Sequence, residues 1–151
     1  KILNSLILNS GAETLVRTMA AQGAYTALVS GGFRYFTELV AQRVGFDFNK
    51  GNEIEIVNNS FSGKIVEPIS TKTTKKEILE TLAQKKKIRM IETLAVGDGA
   101  NDLPMLHAAG LGVAYHAKPV VVAQACARVE HTDLTTLLYY QGYKLSEFIH
   151  Q

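Results

Sequence analysis

Gly97-Asp98-Gly99-Ala100-Asn101-Asp102 sets two carboxylates four residues apart in a glycine-rich turn. Close like charges repel, so such a pair is settled by a proton or by a cation. All-oxygen ligands suit a hard ion, and Mg2+ beside a phosphate-bearing ligand is the common arrangement. A structural alternative stands beside it, in which Asp102 caps the following helix and Asp98 shapes the turn. A dinucleotide-binding glycine pattern is excluded. Asp102 stands where the third glycine belongs, and its charge would repel a pyrophosphate.

Ser30-Gly31-Gly32-Phe33 is a second candidate. A hydroxyl is followed by two residues without side chains and then by a helix pattern. Such a turn lets an anion approach backbone N–H groups at the positive helix end, or it is a plain strand-to-helix turn. Lys75 is the third. A cation in the first turn of a helix is electrostatically misplaced, so it either neutralises a bound phosphate or is one solvated lysine beside Lys72 and Lys76. Lys85-Lys86-Lys87 reads as a solvated helix end. His107, His116, His131 and His150 show no metal-ligand spacing. His107 and His116 read as structural or surface residues, Cys126 as inert packing in an apolar helix, and Tyr139, Tyr140 and Tyr143 as parts of a C-terminal helix.

The elements that must position these residues alternate. Ser10-Gly11-Ala12-Glu13 and Thr74-Lys75-Lys76-Glu77 read as capping boxes that open helices. Ala12, Leu15, Val16 and Met19 repeat at helical spacing. Tyr25 to Val29 reads as a buried parallel strand broken by Ser30-Gly31-Gly32, and Phe33, Phe36, Val40 and Val44 mark the next helix. Ile54 and Ile56 alternate with Glu53 and Glu55. A turn at Asn58-Asn59-Ser60 then returns the chain through Phe61 to Val66 as a hairpin. Thr93–Val96, Leu111–Ala114 and a stretch near Val129 read as strands. Helices run through Leu106 and Ala109, from Pro119, and from Asp133 onward. Short apolar strands between helices imply βαβ units, a mostly parallel sheet and ligands beyond the strand ends. Both glycine-rich breaks fall at such ends.

With 151 residues, 46% hydrophobic and 20% charged, the chain has a one-domain length and enough apolar material for a core. A net charge of +2 fits neither a nucleic-acid binder nor a membrane-surface protein. No apolar run approaches the roughly 20 residues that span a bilayer. One cysteine excludes an internal disulfide and suits a cytoplasmic setting.

Ser30-Gly31-Gly32-Phe33, Lys75 and Ala95-Val96-Gly97-Asp98-Gly99-Ala100-Asn101-Asp102-Leu103-Pro104-Met105 resemble three of the four motifs of the haloacid dehalogenase superfamily. With Gly110 to Pro119 they resemble its phosphoserine phosphatase family, from about Gly11 to about Phe148. P-type ATPases share the acidic motif but not the second one. The resemblance implies a Rossmann-like three-layer α/β core, mostly parallel with a β-hairpin. It implies Mg2+-dependent hydrolysis of O-phosphoserine through an aspartyl-phosphate, in serine biosynthesis. Ser30, with the backbone of Gly31 and Gly32, would hold the phosphoryl group. Lys75 would neutralise its charge, and Asn101 would touch phosphate or substrate. Asp98 would ligate the metal, with Asp102 supporting the ion behind it.

The family's first motif, Asp-x-Asp-x-Thr on a central first strand, has no counterpart in this sequence, and neither has the helical cap. Residues 1–9 resemble the tail of a cap or linker, and 10–151 an incomplete core. The resemblance therefore implies an N-terminal segment of the same protein as partner, supplying the nucleophile between the strands that end at Ser30 and Asp98. A homodimer is compatible with it. Two other readings stand: a noncatalytic phosphate- or Mg2+-binding module completed by a partner strand, and another phosphomonoesterase of the superfamily.

Overall fold

The computed structural model describes residues 6–58, 60–67 and 71–150. Along the chain run α1 (Ala12–Ala21), β1 (Ala27–Phe33), α2 (Arg34–Val44), β2 (Phe48–Val57), β3 (Ser60–Val66), α3 (Thr74–Lys86), β4 (Leu94–Gly97), α4 (Leu103–Ala108), β5 (Leu111–Tyr115), α5 (Pro119–Val122), β6 (Ala127–Val129) and α6 (Thr136–Tyr140). Short 3-10 turns lie at Met90–Glu92, Ala100–Asp102 and Leu145–Glu147. Of the cap-like stretch, residues 1–5 lie outside the described residues, and 6–9 form neither helix nor strand. In the hairpin turn, residue 59 also lies outside them. No helix among the described residues is long and apolar enough to cross a membrane.

The chain divides into two compact units, Lys1–Ile69 with Asp133–Gln151, and Ser70–Thr132. In the first, β2 serves two partners. Its N-terminal half runs parallel to β1, from Ala27↔Phe48 to Phe33↔Asn52. Its C-terminal half pairs antiparallel with β3, from Glu53↔Val66 to Val57↔Ser60, forming the expected hairpin. Helix α2 buries Thr37, Ala41 and Val44, one stripe at helical spacing. Phe33 and Phe36, expected in that stripe, are each 40% exposed. The smaller Thr37 and Ala41 occupy the buried face instead.

Neither expected capping box forms. Ser10 Oγ donates to Asp133 Oδ2 at 3.2 Å, and Gly11 precedes α1 with φ 80° and no side-chain cap. The backbone closes the same tie, since Leu134 N–H donates to Ser10 O at 3.1 Å. Helix α3 likewise starts without a side-chain cap, and Thr74 Oγ1 accepts from Thr71 N–H at 2.8 Å.

Asp133 is the hub of the first tie. It accepts from the Thr135 hydroxyl at 2.5 Å and the Thr135 amide at 2.9 Å. The Thr135 hydroxyl above all holds its carboxyl below the usual range; partial burial opposes this, while the Thr135 amide and the Ser10 hydroxyl add to it. A lowered folded value means that this stabilisation is complete above the unfolded value of about 3.9 and is lost as pH falls through the folded one. The melting midpoint of the wild type should therefore drop more steeply than that of Asp133→Asn between about pH 5 and pH 2. Parallel curves would remove Asp133 from this role.

The second unit holds a parallel sheet in the order β4-β5-β6, with Leu94↔Leu111 through Gly97↔Ala114 in register. Ala95, Leu106, Ala114 and Val121 form its buried cluster, with Leu79, Leu103 and Met105 packed against them. Cys126 departs from expectation. It is exposed in a bend between α5 and β6, because α5 ends at Val122. Among the described residues β1 pairs only with β2, and β4 only with β5, so each sheet ends in a strand with one unpaired side.

Candidate active site

The strand β1 does not stop at Ser30 but runs through both glycines to Phe33. Between the pairs Val29↔Lys50 and Phe33↔Asn52 the register shifts, so that four steps along β1 match two along β2. Ser30-Gly31-Gly32 is thus a bulge at the end of the strand, a device that re-aims side chains. Ser30 Oγ accepts from Gly32 N–H at 3.0 Å. That bond orients the oxygen and leaves the hydroxyl proton to donate elsewhere.

Two neighbours shape the bulge, and the sequence pattern singled out neither. Asn52, 6% exposed, donates from Nδ2 to Gly31 O at 2.8 Å. Gly51 is buried beneath it, where a β-carbon would lie 2.7 Å from Arg34 N and 3.0 Å from Gly32 O. An asparagine and a glycine in a strand otherwise look like ordinary weak strand residues. Only the paired register shows what they support.

In the other unit, β4 ends at Gly97 and a 3-10 turn carries Ala100 to Asp102. The carboxylate of Asp102, 2% exposed, folds back on the turn. Its Oδ2 accepts from Asp98 N–H and Gly99 N–H, both at 3.1 Å. Its Oδ1 receives Lys75 Nζ at 2.5 Å, and the Lys75 side chain is 19% exposed. Gly97 makes this possible, since a β-carbon there would lie 2.4 Å from Asp102 Cβ and 2.7 Å from Cγ. So Lys75, Asp98 and Asp102 come together, while Ser30, Gly31 and Gly32 belong to the first unit. Asn101 is exposed, with its side chain over Gly99.

Asp98 differs from Asp102. Its side chain is exposed, and no residue among those described bonds its carboxylate. A hard cation fits such a free, all-oxygen donor, and magnesium in particular keeps several waters and takes few protein ligands. Asp102 has both oxygens engaged, so its influence on a cation would pass through the turn and through Lys75. Among the described residues no group of three or more His, Cys, Asp or Glu gathers as a metal cluster.

A family model described as haloacid dehalogenase-like hydrolase matches residues 2–107. The chain belongs to this family. The chain is 40% identical over 142 residues to a phosphoserine phosphatase of Streptomyces coelicolor, covering 94% of this chain and 35% of the relative. It is 45% identical over 120 residues to one of Vibrio cholerae, covering 80% and 37%. A crystal structure of a probable phosphoserine phosphatase from Vibrio cholerae superposes with a TM-score of 0.89 at 39% identity, covering 97% of this chain and 45% of that one. A structure titled as a phospho-aspartyl intermediate analogue of phosphoserine phosphatase gives 0.85 at 32%, covering 91% and 66%. The chain thus spans little more than a third of these curated relatives.

Proposed function

We propose that this chain is the phosphate- and magnesium-handling part of an enzyme that hydrolyses O-phosphoserine to serine and phosphate. The observation that carries the reading is the buried Asp102 carboxylate, which joins Lys75 to the turn of Asp98. That linkage supports more than helix capping, because it spends one buried acid on holding a cation and a second acid in fixed places. Lys75 would present positive charge to a phosphoryl group, with Asp102 keeping its ammonium from swinging into water. The Ser30 hydroxyl would donate to a phosphoryl oxygen, with Gly31 and Gly32 letting the anion approach the backbone. Asn101, at the exposed lip of the turn, would contact phosphate or the serine portion. Asp98 would hold Mg2+, which when bound supplies charge neutralisation for phosphoryl transfer. The likeness to phosphoserine phosphatases favours a phosphomonoester substrate over a merely retained anion.

The nucleophile would be an aspartate of a separate N-terminal segment, since no aspartate of this sequence stands in an Asp-x-Asp-x-Thr setting. Among the described residues β1 and β4 each keep one unpaired side, and an edge of that kind is what an added strand takes up. Covalent transfer to it, followed by hydrolysis, would complete the reaction. The 151-residue polypeptide alone should then release no phosphate from phosphoserine above background with Mg2+, whereas a polypeptide joined to a family-type N-terminal segment should turn it over. Activity of the mass-verified short chain would refute the division of labour. Inactivity of both would favour a noncatalytic binding module, and preference for another phosphomonoester would reassign the substrate.

A further inference from the structure

His116 stands directly after β5, at the end of a strand that neighbours the Asp98 turn. Its φ is +43°, in the left-handed region that side chains with a β-carbon enter at a cost. Among the described residues two others with a β-carbon share this region, in ordinary places for it: Asn58 turns the hairpin and Lys87 ends α3. His116 does neither. It is held there from three sides. Its amide donates to Val129 O at 2.8 Å. Its ring Nε2 lies 2.8 Å from Thr132 O, where the ring nitrogen must be the donor. The ring lies flat on the Tyr115 ring, with centroids 4.2 Å apart and planes 9° apart. Strain of this kind persists where the surroundings over-determine it, and it marks places worth a functional question.

Two residues further on, Lys118 N–H donates to the backbone carbonyl of Asp98 at 3.2 Å. Lys118 also precedes α5, its own carbonyl accepting from Val121 and Val122. Asp98 is therefore gripped by both backbone groups. Asp102 takes its N–H, and Lys118 takes its C=O. Only the carboxylate is left free. We infer that His116 is a positioning residue: its clasp on Val129 and Thr132 fixes the loop whose Lys118 amide sets the orientation of Asp98 toward a divalent cation. The metal role of Asp98 rests on the reading above. The mechanical link from His116 to Asp98 does not.

Two variants separate backbone from ring. His116→Gly adopts a positive φ freely and loses the ring. His116→Asn tolerates the left-handed region and keeps a side-chain N–H donor. Amide hydrogen exchange and Mg2+ titration followed by NMR on the whole chain give readouts that do not depend on turnover. In His116→Gly the Lys118 amide should exchange about tenfold faster or more, while amides in the middle of β5 stay unchanged. The Mg2+ concentration that half-saturates the shifts of the Asp98 and Gly99 amides should rise about tenfold. His116→Asn should recover part of both. Wild-type exchange at Lys118 in His116→Gly would overturn the link. Faster exchange with unchanged Mg2+ response would overturn the positioning role and leave a local tie only. Wild-type signals at Asp98 and Gly99 that ignore Mg2+ would count against the metal reading, while the exchange result would still decide the link.

Discussion

Asp98→Asn should lower Mg2+-dependent phosphoserine turnover by about three orders of magnitude in a polypeptide that also carries the nucleophile segment. The replacement keeps the shape of the side chain and removes its charge. Metal-assisted charge stabilisation is worth several kcal/mol, and each tenfold in rate corresponds to about 1.4 kcal/mol. The backbone of Asp98 is held by Asp102 and Lys118 whatever its side chain, so the turn should survive. The variant should therefore melt at the wild-type temperature, and its residual rate should respond weakly to Mg2+. Wild-type turnover in steady-state assays across a magnesium series would take Asp98 out of the metal site.

Asp102→Ala should act on stability as much as on rate. In the folded chain Asp102 is buried, Lys75 is mostly buried, and two turn amides depend on the same carboxylate. Removing one partner leaves an ammonium and two N–H groups without their acceptor. Breaking a buried pair in this way costs about 3–5 kcal/mol. Urea unfolding should show that loss with an unchanged slope. Lys75→Met should cost less, because the two amide bonds to Asp102 Oδ2 remain, although Oδ1 of the buried carboxylate loses its partner. If the two variants are equally stable, the carboxylate does not organise the turn. The comparison also separates stability from chemistry, since both variants should lose turnover.

The long acidic motif was legible because its chemistry is written in consecutive residues. Glycine, aspartate and a following helix signal place Asp98 and Asp102 in one turn whatever the rest of the chain does. The hairpin was legible for a similar reason: Glu53 to Val57 alternate, and a turn follows at once. What sequence did not reveal depends on partners far away. Ser10 has the form of a helix cap, yet its hydroxyl reaches Asp133, 123 residues on. Thr74 makes its bond backward to Thr71 rather than to its own helix. The break at Ser30 proved to be a bulge because Asn52 and Gly51 on the neighbouring strand hold and accommodate it. The stripe of α2 held at Val44 but not at Phe33 and Phe36, because periodicity favours the largest apolar residues, whereas the helix also buries Thr37 and Ala41. Spacing alone makes the two acids equivalent, and their different roles were implied only by the family resemblance; in the structure Asp102 has both oxygens engaged, while no described residue bonds the Asp98 carboxylate.

Among the described residues β1 and β4 each leave one side unpaired, and that has a practical consequence. Each offers a row of amides and carbonyls to whatever extended peptide arrives first, and Phe33 at the end of β1 is 40% exposed. Gly63 and Lys64 interrupt the outer rim of β3 in the manner of natural defences against edge pairing, but β1 has no proline and no charge between Ala27 and Phe33. Crowding many copies of this polypeptide together therefore invites ribbon-like aggregation, seeded along β1 rather than at the hairpin.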